Sequence, residues 1–287
     1  MDLLAELTQE IARTVREHPG NRHPRGDGPY FEEPLVGLAS ARDPLFEAYK
    51  GIIGPFHLTP AELFDAAFGR GSLSQGTVIC WVLPVTGETR RANRGEDRLP
   101  SARWARTRDM GERFNNELRR GVVGFLQARG HRAVAPMLSE LWHRVDESPV
   151  GLASTWSERH AAYAAGLGTF SLNDGLITPR GIAHRLGSVV TDAVLPPAVR
   201  PYPDHRANCL FFRGEPCGQC IRRCPAGALS EAGHDKARCA RYTHGVALAA
   251  VGERYGVKVS GCGLCQTGVP CESRIPPSGA GRPPGPL

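Results

Sequence analysis

Long apolar runs and internal repeats are both absent from this chain of 287 residues. Residues 1–18 mix acidic and basic side chains with interrupted apolar positions, so they match neither a signal peptide nor a membrane span. No repeat of the solenoid type occurs. Hydrophobic residues make up 41% of the chain and charged residues 22%, which is ordinary for a soluble globular protein. The sequence predicts a cytoplasmic protein with no membrane partner and with one large domain or two modest ones.

Large apolar residues are also scarce between residues 204 and 275, a segment that carries most of the cysteines. Of the nine cysteines in the chain, only Cys80 lies outside the interval from Cys209 to Cys271. A segment with so little material for a core usually needs a metal or disulfide staple. In a cytoplasmic protein, clustered cysteines are more often metal ligands than disulfides. Cys80, inside an apolar run, is expected to be a buried small hydrophobic residue.

The spacing of the clustered cysteines is typical of ferredoxins. Cys217, Cys220 and Cys224, the last followed by a proline, reproduce the end of the bacterial ferredoxin run. Two sets of four thiols would satisfy two 4Fe–4S clusters, and the proline-linked cysteine of such a run ligates the other cluster. The sequence therefore predicts two ligand sets: Cys209, Cys217, Cys220 and Cys271 for one cluster, and Cys224, Cys239, Cys262 and Cys265 for the other.

Zinc is the alternative for these cysteines, because paired CxxC motifs also occur in four-cysteine zinc sites. The CxxCxxxCP spacing favours iron–sulfur. A radical S-adenosylmethionine site is excluded at this run, since its third thiol would fall at Gly227.

The formal charge is +6, from 35 basic and 29 acidic residues. If each oxidised cluster with its thiolates carries about −2, the net charge falls to about +2, so the basicity is weak support for nucleic-acid binding. The stretch 103-RWARTRDMGER-113 could still contact phosphates or a carboxylate-bearing ligand. A solvated helix face is the alternative.

Alternating predicted elements indicate an α/β (α+β) fold. Apolar runs predict strands at residues 76–85, 132–138 and 186–195, and a helical pattern covers 112–129. Thr155 and Glu158 have the spacing of a capping box that opens a helix through residue 165. We expect four segments: an N-terminal helix and loop (1–29), an α/β domain with a mixed sheet (30–198), a ferredoxin-like domain (199–275) and a disordered tail (276–287).

Several of these stretches together resemble a known family. The segment 157–192, beside a two-cluster module, is similar to epoxyqueuosine reductase and its relatives, the corrinoid-dependent reductive dehalogenases, in a short form. The likeness covers roughly residues 30 to 275. The residues that carry it are Glu158, Arg159, Ala165–Gly168, Asn173, Leu176, Ile177 and Gly187, the WARTRD stretch, Arg238–Cys239 and Gly261–Gln266.

The resemblance implies a cobalamin-binding-type domain followed by the ferredoxin-like double-cluster domain, with cobalamin bound base-off between them. It implies that a donor such as ferredoxin or flavodoxin supplies electrons, which pass through both clusters to the cobalt and then to a substrate. It also implies corrin contacts at Asn173, Trp104, Gly168 and Ser188. His184 and Arg185 are candidates for contacts with a propionamide side chain or the nucleotide-tail phosphate, and a surface role is the alternative.

Three departures from the family pattern put the substrate in doubt. Leu152 occupies the position of the reductase's proton-donating aspartate and cannot transfer a proton. The helical-repeat extension that helps some relatives to grip transfer RNA does not follow the second cysteine set. Ser171 and Leu172 replace a glycine–lysine pair.

Three residues near the presumed corrin face could replace the lost proton donor: Asp174, His160 and Tyr163. Asp174 has a simpler interpretation as a turn residue between Asn173 and Gly175, and His160 as an ordinary polar residue of a helix.

The leading hypothesis is an iron–sulfur, cobalamin-dependent oxidoreductase that acts on an unidentified small molecule. The first alternative is an electron-transfer or corrinoid-reactivating protein, whose partner would be another corrinoid protein. The second is a transfer-RNA-modifying reductase, although nucleic acid is not an expected partner.

Overall fold

The computed structural model describes residues 2–278. From residue 279 onward, the predicted disordered tail (276–287) lies outside the described residues. Within them, no helix combines the length and the apolar character that crossing a bilayer requires.

The elements follow one another as a mixture of helices and mostly short strands. The helices are α1 (Leu3–Glu17), α2 (Leu45–Ile52), α3 (Pro60–Phe68), α4 (Gly87–Arg94), α5 (Ala102–Gln127), α6 (Glu158–Ala164), α7 (Gln219–Arg222), α8 (Lys236–Ala240) and α9 (Leu248–Tyr255). The strands are β1 (Leu35–Ser40), β2 (Thr77–Pro84), β3 (Ala133–Val134), β4 (Arg144–Val145), β5 (Ala153–Ser154), β6 (Thr169–Phe170), β7 (Leu176–Ile177), β8 (His184–Thr191), β9 (Leu229–Ser230) and β10 (Gly233–His234). A π-helical segment, Arg241–Ala247, joins α8 to α9.

The main sheet has four strands in the order β1-β2-β8-β3. Every neighbouring pair in it is antiparallel, so the prediction of a mixed sheet was wrong. The error has a physical cause: β2 is buried along its whole length, and such continuous apolar strands are typical of parallel sheets covered on both faces. Here helices cover both faces of an antiparallel sheet.

Two apolar clusters lie on opposite faces of the sheet, as the alternation of side chains along β2 requires. Ile79, Trp81 and Leu83 pack with residues of α1 and α5. Val78, Cys80 and Val82 pack with residues of α2, α3 and α6. Cys80 is therefore a core residue.

The predicted N-terminal helix is confirmed by α1, which buries Leu7, Ile11 and Val15. It packs on α5, so it belongs to the main core. Helix α5 begins ten residues earlier than the pattern at 112 suggested, because Ser101 caps it by accepting a hydrogen bond from the Trp104 amide at 3.2 Å.

The predicted capping box at Thr155 and Glu158 was wrong. Helix α6 begins at Glu158 without a side-chain cap, and the Thr155 hydroxyl donates to the Leu141 carbonyl at 2.8 Å. The Glu158 carboxylate accepts a hydrogen bond from Arg119 instead. A complete capping box opens α3, between Thr59 and Glu62.

Residues 199–275, called here the cysteine lobe, contain only short elements. Their apolar cluster is small and depends on residues 172–182 of the preceding segment, residues 30–198, called here the sheet lobe. The lobes are joined by backbone hydrogen bonds, from the Ile182 amide to the Cys271 carbonyl at 2.8 Å and from the Ala183 amide to the Glu272 carbonyl at 3.2 Å. The cysteine lobe therefore packs against the sheet lobe through these hydrogen bonds and the shared apolar cluster.

Candidate functional site

The eight cysteine-lobe thiols fall into two neighbourhoods. Cys271 and Cys220 each interact electrostatically with Cys209 and Cys217. The other neighbourhood links Cys265 to Cys262, Cys239 and Cys224. The folded chain therefore brings together the same two sets that the sequence assigns to two clusters, and cluster ligation itself stays a prediction. Cys265 also interacts with Cys220, so the two groups adjoin each other.

Burial, reinforced by neighbouring thiols, disfavours ionisation of five of these cysteines: Cys220, Cys239, Cys262, Cys265 and Cys271. It raises the pKa of Cys220 to about 12 and that of Cys239 to about 11. Burial and the same like charges raise the pKa of Cys265 and Cys271 well above the ordinary thiol range. Four buried thiolates can coexist only if a bound cation or metal cluster compensates their charge, which is the chemistry that iron–sulfur ligands require.

Among residues 2–278, no three His, Cys, Asp or Glu side chains converge as a site for a single metal ion would require. A 4Fe–4S cluster distributes its four thiolates around a body of four irons. Its ligands therefore have to surround a volume rather than meet at a point.

A large cavity, called here the cofactor cleft, lies where the two lobes meet. Its volume is about 510 Å³, which lies within the roughly 300–1,000 Å³ of ligand pockets. The sheet lobe contributes the side chains of α5 and of the beginning of β8, and the cysteine lobe contributes thiols of the second group. The wall includes Trp104, Arg108, Glu112, Asn173, His184, Arg185, Cys239, Cys262 and Cys265.

A second cavity of about 640 Å³, called here the side pocket, adjoins the cofactor cleft. Arg159 and His234 line both cavities. The walls of the side pocket carry aromatic rings and ionisable groups, among them Tyr49, His160, Tyr163, Phe170, Asp174, Phe212, His234 and Lys236. A third, smaller cavity shares Arg159 and His160 and includes Leu152.

Two of the four predicted corrin contacts line the cofactor cleft. The Trp104 ring lies against the backbone of Gly263, where an added Cβ would come within 2.0 Å of the indole. The Asn173 amide donates to the Cys265 carbonyl at 2.8 Å, and its oxygen accepts from the Gly175 amide at 2.9 Å. Asn173 therefore ties the turn at 171–175 to the second thiol group.

The other two predicted contacts have packing roles and line none of the cavities described above. Gly168 lies so close to the Ile177 carbonyl that a Cβ would approach it to 2.4 Å. Ser188 is fully buried in β8, where its hydroxyl accepts a hydrogen bond from the Trp156 indole at 3.0 Å.

The three predicted proton donors all line the side pocket. The Asp174 carboxylate pairs with His234 at 3.1 Å and Lys236 at 3.7 Å. Burial would raise the pKa of Asp174, but His234, Arg159 and Lys236 outweigh it and lower the pKa below the ordinary range. Burial lowers the pKa of His160 to about 3. At neutral pH, Asp174 is therefore ionised and His160 is uncharged, so neither is a ready acid.

Sequence reasoning missed a buried ionic network on the floor of the cofactor cleft. Arg119, 1% exposed, binds Glu112 at 2.9 Å and Glu158 at 3.0 Å. Arg185 binds the second oxygen of Glu112 at 2.6 Å. Burial opposes ionisation of Glu112, yet Arg185, Arg119 and Arg108 lower its pKa to about 2. The spacing of positions 108, 112 and 119 could have indicated this network, because it places the three charged side chains on one face of α5.

His184, at the beginning of β8, contributes a neutral imidazole to the cleft wall. Its Nε2–H donates to the Leu176 carbonyl at 2.7 Å, and burial lowers its pKa to about 4. Its Nδ1 is buried without a partner among the described residues. The folded chain therefore leaves an unused hydrogen-bond acceptor at the cleft.

Lys236 was also missed. Its ammonium donates to the Val150 carbonyl at 2.8 Å and lies in both the side pocket and the cavity of Leu152. Burial lowers the pKa of Lys236 despite the nearby Asp174 carboxylate.

No protein-family model matches the chain, and no curated protein matches it either. Solved structures of epoxyqueuosine reductase do match. The Bacillus subtilis enzyme is 17% identical with a TM-score of 0.53, over 97% of this chain and 69% of that one. A complex of the reductase with an epoxyqueuosine-modified tRNA stem loop gives 17% identity and a TM-score of 0.53, over 94% and 65%. A selenomethionine-labelled form gives 16% and 0.52, over 94% and 65%.

The chain thus spans about two thirds of the length of these structures. At such low identity the match concerns the fold, and it confirms the resemblance first indicated by residues 157–192 and the cysteine spacing. This chain has the fold of epoxyqueuosine reductase.

Proposed function

We propose that this chain is an iron–sulfur oxidoreductase that transfers electrons through two 4Fe–4S clusters to a corrinoid held in the cofactor cleft, and from there to a small molecule. One observation carries the proposal: three thiols of the second group line the same large cleft as Trp104 and Asn173. A redox group on that wall would be adjacent to any ligand in the cleft.

The two thiol groups supply the cluster ligands. Cys209, Cys217, Cys220 and Cys271 hold one cluster, and Cys224, Cys239, Cys262 and Cys265 hold the other. Iron–sulfur potentials reach very low values, set by hydrogen bonds to sulfur and by burial. The adjacency of Cys265 to Cys220 supports electron transfer from the first group to the second.

The cleft wall fits a macrocycle that bears amide side chains. Trp104 offers a flat apolar face, and the unpartnered Nδ1 of His184 can accept a hydrogen bond from an amide N–H. When bound, a corrinoid supplies a cobalt centre for low-potential chemistry, while the protein contributes orientation and electrostatics. Asn173 holds the turn at 171–175 against the Cys265 loop and so fixes the spacing between cofactor and thiols.

The side pocket is the place for the substrate, because Arg159 and His234 line both this pocket and the cofactor cleft. Leu152 cannot donate a proton, and Asp174 is ionised. Lys236 is the better acid, since burial brings its pKa down while its ammonium faces the pocket. Tyr163, also in this pocket, remains a candidate for binding substrate or for proton transfer.

A protein that transfers electrons or reactivates a partner corrinoid protein, without a substrate of its own, is the second candidate. The aliphatic side chain of Leu152 in a cavity adjoining the side pocket favours it. The third candidate, a transfer-RNA-modifying reductase, rested on the stretch 103–113. Arg103 binds Glu88, Arg106 binds the Tyr255 carbonyl and Arg113 binds Asp109, so most of that charge is used within the protein.

The first test is metal analysis of anaerobically reconstituted protein. We expect about eight irons per chain, about four in the variant Cys265→Ala, and about eight in the matched control Cys80→Ala. Stoichiometric zinc in anaerobically isolated protein, or full iron content in Cys265→Ala, would contradict the cluster assignment.

The second test is addition of cobalamin to the reconstituted protein. We expect the spectral change of a base-off corrinoid, and then reduction of the cobalt when reduced ferredoxin or flavodoxin is supplied. Unchanged spectra would eliminate the corrinoid part of the proposal. Electron delivery to a separate corrinoid protein without small-molecule turnover would favour the second candidate.

A further inference from the structure

Arg108 is a charged side chain on the wall of the cofactor cleft with no hydrogen bond or salt bridge to any residue in the described part of the chain. The other arginines of the stretch 103–113 all bind groups within the protein. Holding a partly buried guanidinium without a partner is costly. Arg108 is therefore arranged for a partner that the polypeptide does not provide.

The surroundings of Arg108 strengthen this conclusion. Its strongest electrostatic neighbour is Arg185, a like charge that, together with burial, lowers the pKa of Arg108 to about 10. The nearest carboxylate, Glu112, is already shared by Arg185 and Arg119. The cleft wall as a whole carries more arginines than carboxylates: Arg108, Arg119, Arg159 and Arg185 against Glu112 and Glu158.

The cysteine lobe leaves room for this side chain. A Cβ at Gly261 would lie 3.1 Å from Arg108 Cγ, so the arginine stem runs along the backbone that precedes Cys262. The guanidinium thus lies where α5 meets the loop of the second thiol group. An anion bound there would lie in the cofactor cleft, beside the second thiol group.

We infer that Arg108 and Arg185 together bind the phosphate of a corrinoid's nucleotide tail. This inference rests on the proposed function. The side chains around a corrin ring are neutral amides, whereas the nucleotide tail carries a phosphodiester. Guanidinium groups bind phosphate through paired, charge-assisted hydrogen bonds. A phosphate would also relieve the repulsion between the two arginines.

The test compares cobalamin with cobinamide, which has the same corrin ring but lacks the nucleotide tail and its phosphate. Both would be titrated by absorbance into reconstituted wild-type protein, Arg108→Gln and the matched control Arg120→Gln, an exposed arginine of α5 paired with Glu117. We expect Arg108→Gln to weaken cobalamin binding about tenfold to a hundredfold. Cobinamide binding should stay unchanged, which also shows that the variant is folded.

Two further measurements test the role of the Arg108 charge. Arg108→Lys retains the charge and should recover part of the lost affinity for cobalamin. The ratio of cobalamin to cobinamide affinity should fall as salt is raised in the wild type, and much less in Arg108→Gln.

The inference is overturned if Arg108→Gln binds cobalamin as the wild type does, or if it weakens both corrinoids equally. If neither corrinoid binds the wild type, the proposed function itself fails and the inference fails with it. Corrinoid binding that is unaffected by Arg108→Gln leaves the proposed function standing.

Discussion

The two lobes of this protein achieve their structure by different means. The sheet lobe has an apolar cluster on each face of its sheet, containing bulky residues such as Trp81, Phe114, Phe46 and Trp156. The cysteine lobe shares one small cluster with its neighbour, to which it contributes Cys209 and Val269 as buried members. The sheet lobe is therefore stabilised by burial of apolar surface. The cysteine lobe buries much less, so we expect its fold to depend on the metal that its thiols are proposed to bind.

Removing the proposed clusters should produce the largest effect, and it should act on the cysteine lobe alone. We expect chelation to unfold the cysteine lobe and to leave the sheet lobe folded, because only the cysteine lobe lacks a core of its own. Limited proteolysis with mass spectrometry, or hydrogen exchange, would locate the loss of protection. Equal protection of the cysteine lobe before and after chelation would show that its fold does not depend on metal.

Removing a central charge should be the next largest effect, this time in the sheet lobe. Arg119→Met leaves Glu158 and part of Glu112 buried without their cation, and we expect a loss of about 3–5 kcal/mol in the free energy of unfolding. Arg120→Met, at an exposed position on the same helix, should change it by about 0.5 kcal/mol or less. Urea unfolding followed by circular dichroism measures both, and similar losses in the two variants would refute the special role of Arg119.

The contact between the lobes can be tested at a single glycine. Gly263→Ala would place a Cβ within 2.0 Å of the Trp104 ring at a residue with φ of +60°. We expect a loss of about 1–3 kcal/mol from overpacking, with a change in indole fluorescence. Gly245→Ala, where the added Cβ has open space, is the control and should be neutral or slightly stabilising. An undisturbed Gly263→Ala would mean that the lobes are not locked together there.

Acid should have the smallest effect per residue, and it should act mainly on the sheet lobe and on the N-terminal segment that precedes it. Burial lowers the pKa of His23, His57 and His184 to about 4, against 6.5 for a free imidazole. Between pH 6.5 and 4 these histidines therefore bind protons in the unfolded state but not in the folded state. As a result, the free energy of unfolding falls as the pH is lowered through this window, and these histidines do not change it above pH 6.5.

His57→Phe tests this pH dependence at one position. Both ring nitrogens of His57 are buried without partners among the described residues, and the ring stacks on Trp156. The phenylalanine should preserve the stack and reduce the acid-induced loss of stability, measured as the urea midpoint at pH 7 and pH 4.5. An identical pH dependence in the variant and the wild type would contradict the assignment.

Local signals in the sequence were sufficient for several elements. The β-branched run at 76–85 predicted β2 nearly to the residue, and the apolar spacing of residues 3–15 predicted α1. The two ligand sets assigned from the cysteine spacing stay predictions. Strand direction was not predictable in this way, because the apolar pattern of β2 is the same whether its neighbouring strands run parallel or antiparallel.

The division of the site into two cavities could not be predicted from the local sequence pattern. Asn173 and Asp174 are adjacent in sequence, yet Asn173 lines the cofactor cleft and Asp174 the side pocket. The separation depends on the turn in which Asp174 adopts a φ of +61°. Likewise, Arg108 has no salt bridge to a residue that the structure describes, because the nearby Glu112 carboxylate already pairs with Arg119 and Arg185, which come from different elements. The domain boundaries given from the sequence stay predictions.

The contact between the Trp104 ring and Gly263 has a consequence for related proteins. Because the indole occupies the space that any side chain at 263 would need, the two positions cannot vary independently. A homologue with a larger residue in place of Gly263 must carry a smaller one in place of Trp104, or rearrange the loop between its two thiols. Paired substitutions at these sites would therefore identify the relatives whose cleft has been reshaped.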